Sequence, residues 1–64
     1  MNELELLKEQ ADIVMLGASQ DFILIDHDFM EDDIWVITVE SAATGNVYTF
    51  KSEGAEFYDF KEKA

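Results

Sequence analysis

Sixty-four residues with fifteen Asp and Glu, four Lys, no Arg and one His give a formal net charge of −11, about one uncompensated negative charge for every six residues. So short a chain forms a single domain, here residues 1–64, and buries only about 60% of the surface its unfolded form exposes. Its charge disfavours direct binding to nucleic acid or to an anionic membrane, the absence of Cys excludes disulfides and thiolate metal sites, and no apolar run approaches the roughly 18 residues of a membrane span.

At the N-terminus, Asn2 followed by Glu5 has the spacing of a helix cap with its capping-box partner, and Leu4, Leu7 and Ala11 then fall on one helical face. Val14, Met15 and Ala18 extend that stripe towards a C-cap at Gly17, yet "DIVMLG" is also β-branched enough for a strand. A helix ending at Gln10 or Ala11 and then a strand is favoured, because a longer helix exposes Leu6, Ile13 and Leu16.

After the polar turn "ASQD", "FILIDHDFM" reads as a strand with Phe22, Leu24, Asp26, Asp28 and Met30 on one face and Ile23, Ile25, His27 and Phe29 on the other. "EDD" makes a tight connection to "IWVITVES", Ile34 to Ser41, the most strand-like stretch and therefore central. A Gly-Asn turn in "AATGN" leads to an antiparallel strand over Val47 to Lys51. The tail forms either a further hairpin strand, Glu56 to Lys61, turned at "SEGA", or a short helix capped by Ser52. The outline is α+β: an N-terminal helix packed on an antiparallel meander of three to five strands.

Apolar residues make up 48% of the chain, too many for a disordered acidic tail, and the acidic start lacks a secretory signal, so a cytoplasmic location is expected. Catalysis is not expected. Ser19, Ser41 and Ser52 fall in turns without a visible base, no phosphate-cradling glycine motif occurs, and so small a domain has little cleft. No cofactor or metal is expected either. On a strand His27 points away from Asp26 and Asp28, so the three cannot close on one ion, and no window has the ligand spacing of a Ca²⁺ loop.

The acids invite a different reading. Same-face strand residues repeat about every 6.6 Å, which sets Asp26 and Asp28 at an interval close to two nucleotide steps of about 3.4 Å each. Glu31, Asp32 and Asp33 extend the row around the turn, and Glu40 flanks it on the neighbouring strand. Ile25, Phe29, Ile34 and Trp35 are expected to anchor this ridge from within, while Trp35 or Phe29 is also a candidate aromatic contact. Net −11 exceeds the roughly 2 to 8 charges that solubility calls for in a small domain.

In its helix "NELELLKEQ", its acid-rich hairpin "DHDFMEDD" and its net charge, the chain resembles the phage-encoded DNA-mimic inhibitors, namely the acidic anti-CRISPR proteins and the uracil-DNA glycosylase inhibitors. The resemblance is one of profile across the whole chain, without a shared motif. It implies a non-enzymatic inhibitor acting in the cytoplasm of a host cell. Its partner would be a basic DNA-binding protein such as a CRISPR effector subunit, held where that protein reads the protospacer-adjacent duplex. The rival reading is an acidic protein-interaction module, monomeric or paired as a homodimer through edge strands or aromatic faces, with acidity serving solubility.

Overall fold

In the computed structural model, which describes residues 2–63, the chain opens with Asn2 in extended backbone, its side-chain oxygen accepting the Glu5 backbone N–H at 2.8 Å. That cap starts α1 (Glu3–Met15), and β1 (Phe22–Glu31), β2 (Ile34–Ser41), β3 (Val47–Glu53) and β4 (Glu56–Glu62) follow. The strands form one antiparallel sheet in the order β1-β2-β3-β4, with the helix on one face, which is the expected α+β architecture. Among the described residues, no helix is long and apolar enough to cross a membrane.

The helix does not stop at Ala11, and residues 12–17 are not a strand. Leu7, Ala11 and Val14 form one buried stripe, so ending the helix early would remove Val14 from the core. Burial of that side chain overrides local β propensity, at the cost of leaving Leu16 80% exposed. Gly17 then takes φ +74, its N–H donating to the Val14 carbonyl while Ala18 N–H donates to Ile13, the paired bonds of a Schellman motif.

Beneath the helix lie Phe22, Ile37, Val39, Tyr48 and Phe50. Ser41 and Ser52 are buried strand residues, not turn residues. β4 is the strand alternative for the tail, and its Asp59, at φ +58, makes the register irregular opposite Phe50. The extra residue allows Phe57 and Phe60, three positions apart, both to reach Phe50, at ring-centroid distances of 5.8 and 5.0 Å.

The same device changes β1. Registers break between Leu24 and Asp26 and again between Phe29 and Glu31, marking bulges at Ile25 and Met30. Beyond the first bulge, His27 pairs with Ile37 and Phe29 with Trp35, so these two join Phe22 and Leu24 on the helix side. Asp26 pairs with Thr38 and Asp28 with Val36, on the opposite side. The simple alternation, which placed Asp26 and Asp28 with Phe22 and Leu24, is thus corrected by one inserted residue.

Glu3 joins the helix to the far end of the sheet. Its carboxylate accepts hydrogen bonds from the hydroxyls of Ser41, Thr44 and Tyr48, at 2.5, 2.9 and 2.6 Å, and from the Asn46 amide at 3.2 Å. These donors, led by Ser41 and then Tyr48, lower its pKa from 4.5 to about 2, and the Tyr48 phenol is correspondingly raised by its bond to Glu3. A carboxyl depressed by folding stabilises the native state fully above its unfolded pKa, and that contribution is lost as the pH falls towards its folded pKa. Replacing Glu3→Gln should therefore lower stability at neutral pH and flatten the fall in unfolding free energy between pH 4.5 and about 2, measured by urea titration. Parallel pH profiles for the two proteins would show that the clasp does not form.

Candidate functional site

The β1–β2 hairpin, residues 22–41, carries six acids, Asp26, Asp28, Glu31, Asp32, Asp33 and Glu40, and no lysine. Asp26 and Asp28 occupy successive same-face positions on the sheet surface away from the helix, about 6.6 Å apart along the strand. Glu31 pairs with Ile34 on that same surface. Glu40, paired with Ile23 and Val47, is also there, but towards the opposite end of β2 from the turn.

Asp32 and Asp33 form the two-residue turn, with φ of 46° and 66°. Both positions are left-handed, as a type I′ hairpin requires; Asn-Gly satisfies that geometry with less strain than two aspartates. The turn thus carries its charge at some conformational cost.

Trp35 is not part of this row. It faces the helix side, with ring centroids 5.2 Å from Phe29 and 5.6 Å from His27. Nor do the expected anchors lie within a core: Ile25, Phe29 and Trp35 are 48, 58 and 39% exposed, and Ile34 is half-buried on the acid-bearing surface. The physical reason is length. At about 1.5 Å per residue the helix spans about 20 Å, whereas ten strand residues at about 3.3 Å span about 30 Å, so the end of the hairpin extends past the helix.

Three of the four lysines pair with acids outside the hairpin, Lys51 and Lys61 doing so on the same sheet surface as Asp26 and Asp28 but on β3 and β4. Lys51 and Lys61 lie 3.1 and 4.0 Å from Asp59, and Lys8 lies 3.7 Å from Glu5. Hydrogen bonding and charge from Lys51, followed by the charge of Lys61, hold the Asp59 carboxyl below its usual range. Among the described residues, no lysine comes within ion-pair distance of any of the six hairpin acids.

β1 is also an edge strand, where charges and bulges block pairing with another chain. That role accounts for acids as a class on β1. It does not call for acids in the turn or for the absence of any compensating lysine across the hairpin.

Sequence reasoning missed the groove beside Trp35, lined also by Met15, Leu24, His27 and Ile37. Apolar residues fill both parities in 22–25 and in 34–37, so no alternation marks the groove. No protein-family model, no curated protein and no solved structure matches the chain, so the site is interpreted from its own residues.

Replacing Asp32→Asn together with Asp33→Gly should raise the unfolding free energy by roughly 0.5–1 kcal/mol, by relieving both left-handed backbones and two like charges. A loss of stability in urea unfolding would show that these carboxylates serve the turn itself.

Proposed function

We propose that the protein is a non-enzymatic inhibitor that occupies the basic DNA-binding surface of a nucleic-acid-processing protein, presenting carboxylates where that surface expects phosphates. The observation that carries this reading is the uncompensated row Asp26, Asp28 and Glu31, continued by Asp32 and Asp33 at the tip, on a hairpin without a lysine. Glu40 adds charge further along the same surface.

A sheet holds these groups at fixed spacing, so binding requires little further ordering of the backbone. A basic groove gains from charge attraction and from rapid, steered association, both of which weaken as salt rises. Within the resemblance to anti-CRISPR inhibitors, the target is the groove of a CRISPR effector in which basic side chains read the protospacer-adjacent duplex, in the cytoplasm of a host cell. The chain needs no cofactor for this, since recognition is by charge and shape alone.

The test uses tagged protein immobilised at low salt and exposed to bacterial lysate, with elution by duplex DNA. Capture should yield a DNA-binding protein that duplex DNA displaces. The triple variant Asp26→Asn, Asp28→Asn, Glu31→Gln should lose capture by about tenfold or more, each solvent-exposed charge contact contributing about 0.5–1 kcal/mol. The charge-matched control Glu5→Gln, Glu9→Gln, Asp12→Asn, on the helix, should retain it. Equal losses in both variants, or a captured protein indifferent to DNA, would contradict the proposal.

A further inference from the structure

The face of the hairpin opposite the acid row has its own unfilled feature. Beyond the end of α1 at Met15 lies an open groove of about 460 Å³ lined by Met15, Leu24, His27, Trp35 and Ile37. Phe29 stands against Trp35 at its edge, more than half exposed, and Leu16 projects from the end of the helix. An open groove of this volume, lined mainly by apolar side chains with a histidine among them, has the size and composition of a ligand-binding site.

Charge selects the occupant. The hairpin continues directly from the Phe29–Trp35 pair to its tip, Asp32 and Asp33. The opposite border is the C-terminal end of α1, the negative end of the helix dipole, whose last turn has no basic residue and which carries Asp12 instead. A second copy, also at −11, would bring the same acids against one another.

We infer that this groove takes a cationic amphipathic segment of a partner protein. One or two large apolar side chains seat against Trp35 and Phe29, and Lys or Arg on either flank meets the hairpin tip and the helix end. This follows the mode in which an amphipathic helix lays its apolar face into a groove. It goes beyond the inhibitor reading: the two share the tip acids Asp32 and Asp33, but the apolar groove lies on the other side of the sheet from Asp26 and Asp28.

The probe is a synthetic peptide of about 14 residues, four helical turns, with Leu and Lys at amphipathic spacing. Trp35 is the only tryptophan, so its emission reports on the groove alone. The Leu–Lys peptide should give a saturable blue shift, and a Ser–Lys peptide of equal charge should give none. Phe29→Ser should weaken binding about tenfold. Met15→Lys, on the helix instead of the hairpin, should weaken it comparably, so that a folding defect confined to one variant does not decide the outcome. Asp32→Asn with Asp33→Asn should weaken it and make it less sensitive to salt. The inference is overturned if the Ser–Lys peptide binds as tightly, if both groove variants retain full affinity, or if sedimentation shows a dimer that already covers Trp35.

Discussion

One inserted residue, Ile25, decides what the β1–β2 hairpin presents to its surroundings. Without the bulge, strand alternation would carry Asp26 and Asp28 onto the helix side with Leu24 and turn His27 and Phe29 outward. Two carboxylates would then lie among the apolar residues while His27 and Phe29 faced away from them. With it, Asp26 and Asp28 leave the apolar side as His27 and Phe29 enter it. A bulge adds a residue to one strand only, so it reverses facing without changing composition.

The helix completes the arrangement by stopping short. Glu3 ties its first turn to Ser41, Thr44, Asn46 and Tyr48 at one end of the sheet, so the position of its last turn follows from its length. What the helix covers becomes the core of Leu7, Ala11, Val14, Ile37, Val39 and Phe50; what it leaves uncovered becomes the Trp35 groove. Glu3 is also an acid whose charge is met by four side-chain donors within the fold, whereas the hairpin acid Asp26 accepts only the His27 backbone N–H, at 2.8 Å. Self-repulsion among so many like charges opposes compaction, so tying the helix down through a hydrogen-bonded carboxylate turns one of those charges to structural use.

Much of the architecture was legible in the sequence. The Asn2 cap, the Ile34–Ser41 strand and the antiparallel order follow from local patterns that tertiary packing leaves intact. The end of the helix was not legible, because the deciding fact is that Val14 meets the sheet, and "DIVMLG" taken alone suits either conformation. The Glu3 clasp joins residues 38 to 45 positions apart, with no periodicity to announce it. Of the proposed site, the acid row keeps its same-face spacing, whereas Trp35 lies on the other side of the sheet. The bulge responsible is hidden because Ile23 and Ile25 supply apolar residues at odd positions before the parity of Phe22 and Leu24 gives way to that of Phe29.

The segregation of acids and aromatics onto opposite faces of one hairpin is tested most directly by nuclear Overhauser contacts from the Trp35 indole. Its ring protons should show contacts to His27 and Phe29, whose ring centroids lie 5.6 and 5.2 Å away, and none to the β-protons of Asp26 or Asp28. Contacts from the indole to those aspartates, with none to His27, would mean that β1 runs without its bulge and that the two-faced hairpin does not exist.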